Sequence, residues 1–219
     1  WWGKSITAKD MAHLWLHEGF ATYSEALYVE HSEGYDAYLD YINFYAIFIK
    51  NKRPIVGPED VNYFNFKDGD IYTKGALTLH SLRSVINDDD LFKSILHDFA
   101  VKYRSQIVTT QDFIDFVNEK TKTEYNCFFS QYLYDRKPPK FQYFLAYNNK
   151  NKETTLHYRW ADTKADFAMP ISINLENGNS FEVKPTANFQ QKKIKTFEKI
   201  KPNKKTHYFS IEKLKKLPK

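Results

Sequence analysis

Glu18 and Glu25 stand two helical turns apart in a stretch where Met11, Leu14, Trp15, Ala21, Thr22, Ala26 and Val29 recur at helical spacing on nearly one side. A carboxylate inside such a stripe is costly unless a cation or hydrogen-bond donors meet it. Two chemistries satisfy that need: an Arg or Lys from a neighbouring helix, or a metal ion. Spacing alone leaves both open. His13 and His17, four apart on the same stretch, form an H-x-x-x-H pattern that can bind zinc on a helix. Leu14 follows the first of them, however, so the general base of an H-E-x-x-H motif is absent. Glu18 is also rotated about 100° from His17. Both histidines are read as packed or exposed rather than as ligands. Tyr72 is a different kind of candidate, a hydrogen-bond donor on an apolar stem that suits a site of developing negative charge. By type alone it is one of 16 tyrosines.

The words around these residues narrow the choice. Trp1-Trp2-Gly3, the run Trp15-Leu16-His17-Glu18-Gly19-Phe20-Ala21-Thr22-Tyr23, and Tyr72-Thr73-Lys74-Gly75 followed by leucines and Leu82-Arg83 resemble the aminopeptidase N family of zinc metallopeptidases (gluzincins). In that family a helix carrying H-E-x-x-H precedes a W-L-x-E-G-F-A-x-Y segment whose Glu is the third zinc ligand. The resemblance implies that Glu18 is that ligand, and the spacing puts the second His of the motif two residues ahead of Trp1. It implies that Tyr72 steadies the oxyanion, and that Glu25 accepts a hydrogen bond from a ligand histidine. Most members have Asn where His17 stands, which bears on any hydrogen bond that Asn makes.

The function implied is hydrolysis of N-terminal residues from peptides by an intact zinc enzyme. One carboxylate cannot hold zinc at useful affinity. The chain alone is therefore expected to be metal-free at Glu18 and inactive. Two other readings remain: a non-catalytic interaction module descended from the peptidase, and an epoxide hydrolase on the same scaffold.

The elements that must position these residues follow from pattern and composition. The chain has 219 residues, 42% of them hydrophobic and 17% aromatic, enough to fill a core. No run of eighteen apolar residues is present, so no membrane span is expected. No signal peptide is visible, and the single Cys127 excludes an internal disulfide. Residues 1–138 carry 15 Lys+Arg against 20 Asp+Glu, whereas residues 139–219 carry 17 against 7. The lysines of the second part are scattered between strand-like runs, which suits a solvated basic face and not nucleic-acid binding.

Residues 1–138 read as the helical part of a peptidase domain. Thr7 and Asp10 resemble a capping box opening the first helix. Small Gly19 lets another backbone approach. A second helix is expected over residues 35–52, its aromatic stripe of Tyr38, Tyr41, Phe44, Tyr45 and Phe48 in the core. Residues 54–58 break it, and residues 59–67 read as irregular, bordering a cleft. Asp68-Gly69-Asp70 caps a third helix over 71–86, Asp88-Asp89-Asp90 opens a fourth to 103, Thr109 or Thr110 caps a fifth, and a sixth spans 126–136.

Lys137-Pro138-Pro139-Lys140 marks a boundary, after which the period switches to two. Strands are expected over 141–147, 154–160, 167–175, 180–184 and 207–211, which suggests a small β-sandwich over 139–219. Bacterial members of the family have such a domain, with a pattern like Tyr158-Arg159-Trp160 and Met169-Pro170. The fold class is thus α+β: a helical subdomain of a thermolysin-like metallopeptidase followed by a β-sandwich. Apolar surface around Trp1, Trp2 and Trp15 is expected to be exposed and to favour self-association.

Overall fold

A computed structural model of the chain describes every residue except 62, 64, 65, 196–198 and 217–219. Part of the stretch expected to be irregular, at residues 62, 64 and 65, therefore lies outside the described residues. The fold is mixed α+β, and it divides into two compact units, Trp1–Lys137 and Pro138–Lys219.

The first unit is built on α1 (Trp15–Glu33), α2 (Tyr35–Phe44), α3 (Asp70–Ile86), α4 (Asp89–Lys102), α5 (Thr110–Thr121) and α6 (Asn126–Leu133). Gly34, at φ 94°, separates α1 from α2, a backbone conformation open to glycine at little cost. Asp88 caps α4 by accepting from the Leu91 amide at 2.9 Å. Thr109 and Asp112 form a reciprocal capping box on α5. The core is aromatic: Phe113 meets Trp15, Phe20, Phe99 and Phe129 edge-on, with ring centroids 4.9–6.0 Å apart.

Three expectations are corrected in this unit. Thr7 is not a cap; it lies in β1 (Ile6–Ala8), which pairs in parallel with β2 (Gln106–Val108). Asp10 alone does the capping, accepting from the Ala12 amide at 2.8 Å to start a 3-10 turn over Met11–His13. Trp15 is not exposed but 0% accessible, with its indole donating to Thr110 Oγ1 at 2.8 Å. Trp1 is 65% exposed, and Trp2 packs on Phe20 at 4.5 Å while donating to Ser24 Oγ at 3.1 Å. The second helix stops at Phe44 and a 3-10 turn follows over Tyr45–Ile47. A ten-residue helix packed by one face buries only Tyr38, Leu39 and Ile42, and leaves Tyr41, Phe44 and Phe48 exposed.

In the second unit, β3 (Lys140–Asn148) and β4 (Glu153–Ala161) form a long antiparallel hairpin in register from Lys140–Ala161 to Asn148–Glu153. β7 (Gln190–Ile194) adds antiparallel to β4, and β9 (Ser210–Lys213) adds parallel to β3. A second sheet has β5 (Ile171–Leu175) at its centre, between β6 (Ser180–Val183) and β8 (Ile200–Pro202). Side chains alternate in and out with period two, burying Phe141, Leu156, Trp160, Ile171 and Ile173. Trp160 sits against Phe167 and Phe209, and its indole donates to the Met169 carbonyl at 3.1 Å. The last strand begins at Ser210, three residues later than expected, because Phe209 is drawn into this core first.

Candidate active site

The site is set by a crossing of two helices. A Cβ on Gly19 of α1 would lie 3.0 Å from the Cα of Gly75 and 3.1 Å from the carbonyl oxygen of Ile71. A Cβ on Gly75 of α3 would likewise lie 3.0 Å from the Cα of Gly19. Only two glycines allow backbones this close. Glu18 precedes the first glycine by one residue and Tyr72 precedes the second by three, so the crossing carries both side chains to the same place.

At this crossing the Tyr72 phenol comes under the influence of the Glu18 carboxylate. Its pKa is raised, first by partial burial and then by the charge and hydrogen bond of Glu18. The phenol therefore keeps its proton and is a donor at any neutral pH. Glu18 itself is half-buried, on the border of the apolar stripe and not sealed within it.

Glu25 shares that side of α1 but is exposed, which corrects the expectation of a second acid inside the stripe. It accepts from the hydroxyls of Tyr41 at 3.2 Å and Tyr45 at 2.9 Å. Burial, the Tyr41 hydroxyl and this carboxylate hold the Tyr45 phenol far above its ordinary pKa. Tyr41 and Tyr45, expected in the core, thus stand against Glu25 instead.

The two histidines go elsewhere. His17 accepts the Ala8 amide proton at Nε2, at 2.7 Å, so its own proton sits on Nδ1. Burial lowers its pKa. His13 is buried in the 3-10 turn, with Nδ1 2.9 Å from Thr110 Oγ1 and Nε2 3.3 Å from Glu59 Oε1. The Thr110 amide also points at that Nδ1, at 3.4 Å, which makes Nδ1 the acceptor. Among the described residues no group of three or more His, Cys, Asp or Glu is arranged to hold a metal. The donor set around Glu18 fits a metal as one carboxylate only.

Two polar arrangements escaped the sequence reading. Arg83 of α3, buried, grips the Glu30 carboxylate with both terminal nitrogens and Asp89 through Nε at 2.8 Å, while its guanidinium lies 5.0 Å from the centre of the Tyr38 ring. The acid matched by a neighbouring arginine is therefore Glu30, not Glu18 or Glu25. Tyr38 continues the network to His80 Nδ1 at 2.6 Å and to the Tyr23 hydroxyl at 3.0 Å. The Leu82-Arg83 pair was the available signal, but it named no partner.

The second arrangement brackets Tyr72. Asp70, 1% accessible, accepts from the backbone amides of Lys50 and Asn51, both at 2.8 Å. It was expected as part of a helix cap, but no side chain caps α3 at Gly69. Lys74, 0% accessible, donates to the carbonyls of Asp135 at 3.0 Å and Arg136 at 2.8 Å.

The same fold occurs in solved peptidases. Legionella pneumophila aminopeptidase A, solved with aspartic acid, matches 97% of the chain at a TM-score of 0.73 and 17% identity. A mutant M1 zinc metallopeptidase from Deinococcus radiodurans, bound to a Tyr-Ser-Ala substrate, matches 64% of it at a TM-score of 0.54 and 29% identity. The peptidase family M1 domain matches residues 1–132, and the chain belongs to that family. It spans 25% and 31% of the lengths of the two solved chains. No helix among the described residues is long and apolar enough to cross a membrane.

Proposed function

We propose that this chain forms part of a zinc-dependent aminopeptidase that removes N-terminal residues from peptides, with Glu18 as one metal ligand and Tyr72 as the oxyanion donor. The observation that carries the reading is the close Gly19–Gly75 crossing, where the Glu18 carboxylate raises the pKa of the Tyr72 phenol. Glu18 would supply one ligand, and the resemblance to the family implies a histidine pair for the others. The chemistry such a metal supplies when bound is Lewis-acid polarisation of the scissile carbonyl. Tyr72 has a fixed helical stem and a retained proton. It donates to the carbonyl oxygen as negative charge develops there. Glu25 orients a ligand histidine from two turns further along α1, with Tyr41 and Tyr45 holding its carboxylate in place. Residues 1–219 alone, with a single ligand, are expected to bind no zinc at Glu18 and to turn over no substrate.

The test uses the intact parent protein, its zinc content and its hydrolysis of aminoacyl anilides. Glu18→Gln is expected to lower zinc occupancy at least about tenfold. Tyr72→Phe is expected to keep zinc and lower kcat by about 100- to 1,000-fold. Full zinc and full turnover in Glu18→Gln would overturn the assignment.

A further inference from the structure

Lys74 is a buried cation that neither the metal site nor the hydrolysis uses. Burial pushes its pKa down to about 8, against the opposing charges of Asp70 on its own helix and Asp135 on the facing turn. Placing an ammonium there is costly, and the return is specific: its Nζ holds two consecutive carbonyls just beyond the end of α6. The same turn is held a third time, by buried Gln131, whose amide donates to the Lys137 carbonyl at 3.2 Å. One helical turn earlier on α3, Asp70 grips the amides of Lys50 and Asn51. That segment is in turn tied to α6 where the Val56 amide donates to the Leu133 carbonyl at 3.0 Å. Tyr72 lies midway between Asp70 and Lys74. The first turn of α3 is thus clamped by an anion on backbone amides on one side and a cation on backbone carbonyls on the other.

We propose that Lys74 is a positioning residue: by holding the Asp135 and Arg136 carbonyls it fixes the first turn of α3, and so sets the reach of the Tyr72 phenol to Glu18. Its bearing on catalysis rests on the reading of Tyr72 as oxyanion donor, but the geometric claim does not. Proton loss leaves the clamp in place, because a neutral amine still offers two N–H groups to the two carbonyls. Removing the nitrogen does not.

The 219-residue chain carrying tyrosine labelled with carbon-13 at Cζ tests this at pH 7, with Tyr72→Phe assigning the Tyr72 signal. Glu18→Gln is expected to move that signal. In the Lys74→Met background the same substitution is expected to move it by less than half as much. Phe92→Leu, which loosens the core at buried Phe92 on α4, is expected to leave the response whole, separating positioning from general loss of stability. Lys74→Gln, whose amide is too short to reach both carbonyls, gives the same reading should Lys74→Met not fold. An undiminished response to Glu18→Gln in either Lys74 variant overturns the proposal. In the intact zinc enzyme, Lys74→Met is expected to lower kcat about tenfold with KM held within about twofold. A Tyr72→Phe enzyme of unaltered kcat would sink the catalytic reading of Tyr72 and leave the spectroscopic result standing.

Discussion

Gly19 of α1 lies directly against Gly75 of α3, and at that crossing the Glu18 carboxylate helps to raise the pKa of the Tyr72 phenol. The Glu18 and Tyr72 side chains come from separate sequence motifs, and what brings them to one place is the absence of side chains at two other positions. Helix propensity argues against glycine at both positions. The pair is kept by the distance between the two backbones, not by local preference.

Gly19→Ala is therefore expected to destabilise the chain, although alanine is the better helix former by about 1 kcal/mol. The new methyl would face backbone atoms of Gly75 and Ile71 at 3.0–3.1 Å, and backbone cannot turn aside as a side chain can. Overpacking of this kind costs about 1–3 kcal/mol. Urea unfolding measures the net effect. An alanine variant as stable as the parent would show that the crossing has slack.

Arg83→Met is expected to cost about 3–5 kcal/mol, because it leaves Glu30 and Asp89 without their shared cation. Hydrogen bonds from Arg83 hold both carboxyls below their ordinary pKa. The sign follows: the stability they contribute is complete above the ordinary carboxylate range and is lost as pH falls through the lowered values. Denaturation at pH 7 and pH 3 should show a wide gap between parent and variant at pH 7 that narrows at pH 3. A constant gap would place the effect in packing against Tyr38 instead.

Much of this was legible in the sequence, for identifiable reasons. Glu18, Gly19, Tyr72 and Gly75 sit in short motifs whose helices also carry clear periodicity, and Thr109 with Asp112 is a local signal. What failed was non-local. The β1–β2 pair joins Ile6–Ala8 to Gln106–Val108, three-residue strands whose pairing no local pattern encodes. Strand β7, Gln-Gln-Lys-Lys-Ile, lacks alternation because among the described residues it is an edge strand, paired with β4 on one side. Tyr41, Phe44 and Phe48 read as core because an aromatic stripe does not say where its helix ends. Asp70 read as part of a helix cap and Lys74 only as a member of the Y-x-K-G motif, because their partners are backbone groups, which carry no residue identity.

Thr110→Val tests one such hidden contact. The Thr110 hydroxyl accepts from the Trp15 indole at 2.8 Å and lies 2.9 Å from His13 Nδ1, all three residues being buried. Valine keeps the shape and removes the oxygen, leaving a buried indole N–H without an acceptor. The expected loss is about 1–3 kcal/mol by thermal or urea unfolding, with Thr110→Ser retaining most of the stability. Equal stability of the Val and Ser variants would mean that the indole finds another acceptor.

Asp70→Asn probes the clamp from its anionic side. An isosteric amide can present one oxygen to the Lys50 and Asn51 amides, but its nitrogen would face the other N–H donor to donor, so one of the two 2.8 Å bonds is lost. That loss costs about 1–3 kcal/mol at any pH. A second cost is pH-dependent. The Asp70 charge raises the Lys74 pKa against burial, so its removal lowers that pKa further below about 8. Between the folded value and the ordinary lysine range the unfolded chain binds the extra proton, so stability rises with pH across that window. In Asp70→Asn the window opens at lower pH. The variant's deficit should accordingly be largest near pH 6 and shrink toward pH 9, where Lys74 is neutral in both proteins and only the lost amide contact remains. Unfolding curves at the two pH values decide it: a deficit that grows with pH would mean that Asp70 does not stabilise the protonated form of Lys74.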